Sequence, residues 1–418
     1  MAHYSFLHLT AAALGLGPRS GPVFGGAVPR RRYDVAIIGG GGHGLATAHY
    51  LAREHGVSDI VVIEKGWLGG GNTGRNTTIV RADYLLPGNL EFFGHALSMW
   101  PDLSRDLNFN VMFSPRGYLD LAHSDAQLDL FIRRANMLSL KGIQARIVDP
   151  QTLRDLEPAL DIGPKPPVPV LGGLVQAGAG TARHDAVAWG YARSAHRQGV
   201  DIVQNCEVTG LKLEHEHIVG VETSRGMIET DTVVVSVAGH SSRLAAMAGI
   251  DLPIETYAVQ AFVSEPLKPV LNRVTNMNIG LAYVSQTDKG EIVMGGSLEP
   301  LASYAQRGSV VRIGETASRL VHLLPFLSRV RLMRAWGGIA DVTADGSAIV
   351  GPTPVGGLYL NAGWGYSGFK ATPAAGWCLA HTVATGEVHP LIRPLGLERF
   401  TTGALLDEGG AGPYTWLH

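Results

Sequence analysis

Residues Gly39-Gly-Gly41-Gly-His-Gly44 satisfy the spacing GxGxxG, and Glu64 lies twenty positions beyond Gly44. This arrangement suits a dinucleotide for mechanical reasons. The first glycine permits a tight turn, the second lets the backbone approach a pyrophosphate, and the third lets a helix pack closely on a strand. The helix that follows then presents free N–H groups and the positive end of its dipole to phosphate. A carboxylate at position 64 can accept from ribose hydroxyls. A glycine turn alone is compatible with no ligand at all. The acid at that offset, with a strand before and a helix after, argues for a dinucleotide without choosing between FAD and NAD.

The elements that must position these residues are legible around them. Tyr33 to Ile38, YDVAII, is a short β-branched apolar run, the pattern of a strand buried in a parallel sheet. Ala46 to His55 has helical composition, with Leu45, Ala48 and Ala52 on one side and Gly56 closing it. Asp59 to Glu64, DIVVIE, is a second buried strand, completing a βαβ unit. Further on, His184 to Arg197 reads as a helix, and Thr232 to Val237 and Gly356 to Leu360 as buried strands. A last helix is expected from about Thr372. Ile254 to Val263, Ala282 to Ser285 and Glu291 to Met294 suggest a largely antiparallel sheet. The expected fold is therefore α/β: a Rossmann-like FAD-binding domain of the glutathione-reductase type, interleaved with an antiparallel α+β substrate domain. The divisions expected are an N-terminal extension at 1–32, nucleotide-binding segments at 33–105, 170–245 and 335–395, substrate segments at 106–169 and 246–334, and a tail at 396–418.

At 418 residues the chain exceeds one compact core. Its 34 basic residues against 36 acidic ones create no global field for nucleic acid or an anionic membrane. Cys206 and Cys378 stand alone, outside any CxxC pair, which suits a reducing cytoplasm. The run Leu9 to Leu16 is far shorter than the ~20 apolar residues of a membrane span, and no basic side chain other than histidine precedes Arg19 as a secretory signal would want. The N-terminal segment is expected to lie on the protein or on a partner. His43, His49 and His55 are spaced too far round a helix to share a metal, and neither HExxH nor GxSxG occurs. No metal site is expected.

Lys65 to Arg81, KGWLGGGNTGRNTTIVR, follows the acid directly. A polar, glycine-rich loop at this place favours a flavin over a nicotinamide. The segment EKGWLGGGNTGRNTTIVRADYL resembles the beta subunit of heterotetrameric sarcosine oxidase, a relative of the D-amino-acid oxidases and glycine oxidases. The likeness runs from Tyr33 to the C-terminal LERFTTGALLDEG. It implies FAD contacts at Lys65, Asn72, Thr77 and Ile79 in this loop, besides Gly39, Gly41, Gly42, His43, Gly44 and Glu64. Val208 is where this fold offers backbone groups to the adenine.

A second match is Thr181-Ala-Arg-His-Asp-Ala-Val-Ala-Trp. The resemblance implies FMN bound covalently to His184, with Arg183 beside it. A plain alternative is that His184 caps its helix with Asp185. Some family members carry lysine where this chain has Ala182. The third match is Asn361-Ala-Gly-Trp-Gly-Tyr-Ser-Gly-Phe-Lys-Ala-Thr-Pro, a loop that in the family closes over the flavin. There the backbone N–H groups of Gly365 and Gly368 would face developing negative charge on the ring. Lys370 matches the lysine that, with an arginine matching Arg81, holds a substrate carboxylate. An N-methyl amino acid offers that carboxylate as its strong handle. Arg334-Ala-Trp-Gly-Gly-Ile-Ala-Asp holds no cysteine where monomeric sarcosine oxidases attach FAD, so FAD is expected to be non-covalent.

The function implied is oxidative demethylation of sarcosine to glycine. Hydride passes to FAD, electrons pass to FMN, and oxygen then gives hydrogen peroxide. Alpha, gamma and delta subunits are implied as partners, with NAD and tetrahydrofolate bound in a partner that takes the one-carbon unit. A competing reading is a single-flavin dehydrogenase of another small amino acid with a quinone or cytochrome acceptor. Another is a flavin-holding scaffold whose catalysis lies in a partner, against which Arg81 and Lys370 both count.

Overall fold

The computed structural model describes residues 5–16, 24, 28–163, 168–278 and 282–408. Two large sheets organise them. The first has six strands in the order Ile349–Pro352, Leu358–Ala362, Val233–Val235, Val35–Ile38, Ile60–Ile63 and Asp201–Val203. Every neighbouring pair is parallel except the first, which is antiparallel. This is the Rossmann-like sheet the sequence predicts.

Alternation along its central strand separates two cores. Val35 and Ile37 face a helical layer that includes Leu45, Trp100, Tyr191 and Leu379. Ala36 and Ile38 face the other way, toward Val221 and Ile228 of a three-stranded antiparallel meander. Strands buried on both faces lose the polar alternation of a half-exposed sheet, so these read as continuous apolar runs.

The second sheet has eight strands, and all neighbouring pairs are antiparallel except Val274–Asn276 beside Tyr118–Ala122. Strands Gly172–Gln176 and Leu332–Thr343 both belong to it. Residues 172–176 and 335–343, which the sequence placed on the nucleotide side, therefore pair with this other sheet. Both strands cross long sequence separations, and a local pattern does not report which sheet will take them.

Two helices start earlier than their composition suggests. The helix expected from Ala46 runs Gly42–His55, and Gly56 closes it in the left-handed conformation at φ 68°. The helix expected near Thr372 runs Gly368–Thr385 and includes Pro373. Pro373 has no N–H to offer the Phe369 carbonyl four residues back, so the helix goes without that one bond.

Of the expected N-terminal extension, residues 1–4, 17–23 and 25–27 lie outside the described residues, as do 409–418 of the tail. The helix Phe6–Ala13 presents an exposed Phe6 and Leu7. Phe24 is buried and stacks on Trp189 at 5.2 Å between ring centroids, which ties this segment to the helix His184–Arg197. Cys206 and Cys378 are both buried and free. No helix among the described residues is long and apolar enough to cross a membrane.

Candidate functional site

Gly39 ends the first strand at φ +114°, and a Cβ there would overlap the Ser236 carbonyl oxygen. Gly44 is limited from the other side, because its Cβ would run into the Gly39 carbonyl. These two glycines let the helix Gly42–His55 begin directly against its strand. The Gly42 N–H donates to Thr73 Oγ1 at 2.9 Å, and the Gly40 N–H donates to Glu64 Oε2 at 2.9 Å. Glu64 Oε1 accepts from the Gly66 N–H at 2.8 Å. The carboxylate is thereby fixed at the strand end, and each oxygen keeps a lone pair for a further donor.

A cavity of about 530 Å³ runs along this edge of the sheet. Gly39, Gly41, Gly42, His43, Glu64, Lys65, Asn72, Thr77, Ile79, Arg81, Val208, Gly365, Gly368 and Lys370 all line it. Residues from three distant stretches of sequence are thus brought to one wall. Gly44 stands behind it as a packing residue. Arg183 and His184 are not part of that lining.

The loop 65–81 is stitched to the eight-stranded sheet. Asn72 mimics a strand: its Nδ2 donates to the Ile339 carbonyl, and its Oδ1 accepts the Ile339 N–H at 3.0 Å. Trp336 Nε1 donates to the Arg75 carbonyl at 2.7 Å. The loop then ends in a two-stranded ribbon, Ile79–Val80 against Gly180–Thr181, and the Ala182 N–H donates to the Thr78 carbonyl at 3.1 Å. Arg81 and His184 consequently emerge from the two strands of one ribbon.

Across the cavity, the Gly363 N–H donates to Asp341 Oδ2 at 2.7 Å, and the Gly365 N–H donates to the Asp341 backbone carbonyl at 2.9 Å. The Gly365 donor expected to face a flavin is therefore engaged within the chain. Gly368 opens a helix, and first-turn N–H groups have no intrahelical acceptor. That makes Gly368 and Phe369 the donors available at this wall. His43 Nε2 bonds the Gly368 carbonyl at 2.8 Å, and its ring lies 4.8 Å from that of Trp364. Burial pushes the His43 imidazolium down to about 4, so the ring is neutral at pH 7.

Arg81 forms a salt bridge with Asp83, which is 1% exposed. Burial pushes the Asp83 carboxyl up, but the Arg81 and Arg134 cations outweigh it and hold the group below its usual range. Lys370 is also buried, and its Nζ donates to the Tyr366 carbonyl at 3.1 Å. The Arg81 Cζ and the Lys370 Nζ lie 5.6 and 6.0 Å from the centre of the Tyr84 ring. Burial and the nearby Arg81 cation hold the Lys370 ammonium well below its ordinary range, with Asp83 opposing them. Behind this pair a second chamber of about 100 Å³ is lined by Asp120 and Arg134 among others. Burial, then the Asp83 charge, raises the Asp120 carboxyl to about 7. Arg81 and Lys370 thus converge on the Tyr84 ring, with Asp83 paired to the arginine.

His184 is the first residue of the helix His184–Arg197, whose N-cap is Arg183. It does not cap that helix: Asp185 instead accepts from the Ala186 N–H and pairs with Arg183 at 3.1 Å. The buried His184 Nδ1 has no hydrogen-bond partner. Burial, with Arg183 adding and Asp185 opposing, lowers the imidazolium below its ordinary range. A neutral ring with an unsatisfied nitrogen can act as a nucleophile toward an electrophilic carbon.

The sequence did not single out Asp83, Tyr84 or Asp341. Asp83 stands two residues beyond Arg81, a signal that was available. Asp341 closes the RAWGGIAD segment, but nothing local says that it will hold the Gly363–Gly365 loop.

The sequence model of the family described as FAD dependent oxidoreductase matches residues 34–382. The chain is 50% identical over 390 residues to the sarcosine oxidase subunit beta of Rhizobium meliloti, covering 93% of this chain and 94% of that one. It is 47% identical over 412 residues to the sarcosine oxidase subunit beta of Rhodobacter capsulatus, covering 98% and 99%. The L-proline dehydrogenase of P. horikoshii superposes with a TM-score of 0.85 at 27% identity, over 90% of this chain and 100% of that one. The glycine oxidase of Geobacillus kaustophilus, at 21% identity, shares the fold with a TM-score of 0.80 over 88% of this chain and 99% of its own. Together with the glycine turn, the fixed Glu64 and the long cavity, these likenesses place the chain in the FAD-dependent oxidoreductase family, within the group of sarcosine oxidase beta subunits.

Proposed function

We propose that this chain is the subunit of a heterotetrameric sarcosine oxidase that demethylates sarcosine to glycine. FAD would lie non-covalently in the 530 Å³ cavity, and FMN would be attached to His184. Alpha, gamma and delta subunits would complete the enzyme, with tetrahydrofolate and NAD in a partner. The FAD supplies the hydride acceptor, and the FMN supplies the route from it to oxygen and hydrogen peroxide.

The observation that carries the substrate reading is the placement of Arg81 and Lys370 beside one aromatic ring at the wall of the dinucleotide cavity. Arg81, held by Asp83, would receive the substrate carboxylate in fork geometry. Tyr84 and Phe93 would exclude water from that ion pair. With the carboxylate clamped, the methyl group of a molecule as short as sarcosine has little freedom left, and orientation of this kind contributes up to ~7–11 kcal/mol in well-aligned reactions. Gly368 and Phe369, at the helix N-terminus, would stabilise negative charge opposite.

The covalent link is supported by the unpartnered His184 Nδ1 and by the ribbon that joins its strand to that of Arg81. It puts the proposed electron acceptor on the same rigid piece of backbone as the substrate arginine.

Sarcosine added to the purified complex without oxygen is expected to bleach the flavin absorbance, and readmitted oxygen to restore it with hydrogen peroxide released. Bleaching that only a quinone or cytochrome reverses would favour the single-flavin dehydrogenase. No bleaching by sarcosine would remove the substrate assignment.

A further inference from the structure

The inference that follows rests on the substrate site just proposed and assigns it a proton acceptor. A secondary amino acid arrives as a zwitterion. Hydride cannot leave a carbon beside an ammonium group, because no lone pair is present to form the C=N bond. One proton must leave the substrate nitrogen first.

Lys370 occupies a place hostile to its own charge. It is 3% exposed, and among the described residues no carboxylate pairs with it, Asp83 being engaged by Arg81. Its Nζ has the Tyr366 carbonyl as acceptor and the Tyr84 and Phe93 rings at 6.0 and 5.8 Å. It is the third residue of the helix Gly368–Thr385, where the dipole end is positive. The charged and titratable groups around it are Arg81, Asp83 and Tyr84 from the segment 81–84, and Tyr366 from the turn before its helix. Of these, the Arg81 cation depresses the lysinium and Asp83 opposes it, and burial exceeds both.

We propose that Lys370 stands in the free enzyme as a neutral amine and takes the ammonium proton of the substrate. The carboxylate docks against Arg81, one N–H bond of the substrate ammonium breaks, and one N–H bond forms at Lys370 Nζ. No electron moves, and the total charge is unchanged. The incoming carboxylate supplies the negative partner that Lys370 lacks, so the lysinium becomes stable only when substrate is present. Docking and deprotonation are thereby one event, and the substrate amine is left with the lone pair that oxidation requires.

Acetate separates this idea from the alternatives, because it brings a carboxylate and no ammonium proton. Its binding to the holoenzyme, purified with its partner subunits, is followed by flavin absorbance and by calorimetry in two buffers of different ionisation enthalpy. At mildly alkaline pH each acetate bound should draw close to one proton from solvent. Its Kd should rise about tenfold per pH unit, as linkage to one proton requires. Lys370→Arg, permanently charged, should bind acetate with neither proton uptake nor pH slope, and Lys370→Met should bind weakly with neither. Should the variants fail to fold, the slope and uptake of the unaltered enzyme at about pH 9, well above the Asp120 carboxyl at about 7, decide instead. Acetate bound without uptake, or not bound at all, overturns the proposal. Sarcosine failing to bleach the flavin would instead overturn the oxidase reading, with the acetate result still readable.

Discussion

Gly44→Ala should yield a chain that no longer retains FAD. The added methyl overlaps the carbonyl oxygen of Gly39, and that residue has no room to retreat. Its N–H is bonded to the Ile63 carbonyl at 2.8 Å, its φ of +114° is already special, and Ser236 closes the space behind it. The helix Gly42–His55 must therefore lift from the strand, carrying away the N–H groups at its start. Overpacking typically costs about 1–3 kcal/mol, and against unyielding backbone the upper end applies, which corresponds to roughly a hundredfold loss of cofactor affinity. The flavin-to-protein absorbance ratio and the FAD dissociation constant measure it. Gly56→Ala is the control at the other end of the same helix. It meets no atom within 4 Å, and its cost is confined to the left-handed cap, about 1 kcal/mol. Equal FAD retention by the two variants would show that the close approach at Gly44 does not build the site.

The second large effect is expected from Arg81→Ala. Removing the guanidinium takes away the fork that receives the carboxylate and leaves the buried Asp83 without its salt-bridge partner, with only the Arg134 charge to offset it. Truncating one partner of a buried charge pair made with a ligand costs about 2–5 kcal/mol, so kcat/KM for sarcosine should fall roughly 30- to 5,000-fold. The loss should appear chiefly in KM, because the carboxylate contact exists before and during the reaction. FAD content should stay near one per chain, since the glycine turn, Glu64 and the Asn72 bridge are untouched. Adding Asp83→Asn removes the stranded charge, so the double variant should recover stability and not activity. Unchanged KM in Arg81→Ala would place the substrate elsewhere.

How much of this was legible depends on whether a residue's role is local. The βαβ unit was readable because parallel strands buried on both faces are unbroken apolar runs, as Val35–Ile38 and Ile60–Ile63 are. Gly39 and Gly44 were readable because their steric task is set by neighbours a few residues away. The helix Asn89–Asp106, which seats Trp100 against the Lys370 carbonyl, was not read. It contains Gly94 and Pro101, and its start is marked by a glycine rather than a strong cap. The sequence pattern predicts the last helix only from about Thr372, because Pro373 and the glycines before it look like a loop, whereas it starts at Gly368. That shift matters, since it puts Lys370 in the first turn, where its charge is disfavoured. Asp341 gains its role from the Gly363–Gly365 loop, and Asp83 part of its own from Arg134, both farther along the chain, and sequence periodicity carries no record of such pairing. Asn72 was expected to serve the cofactor, yet its amide is used on Ile339, because a loop without regular structure needs an anchor before it can present anything.

As proposed, one chain carries two flavins held in different ways. Acid denaturation of the purified complex, followed by intact mass and peptide mapping of this chain, tests it most directly. The prediction is a mass increase of one FMN confined to the peptide containing His184, with FAD free in the supernatant. Release of all flavin into the supernatant would contradict it, as would FAD remaining on the chain.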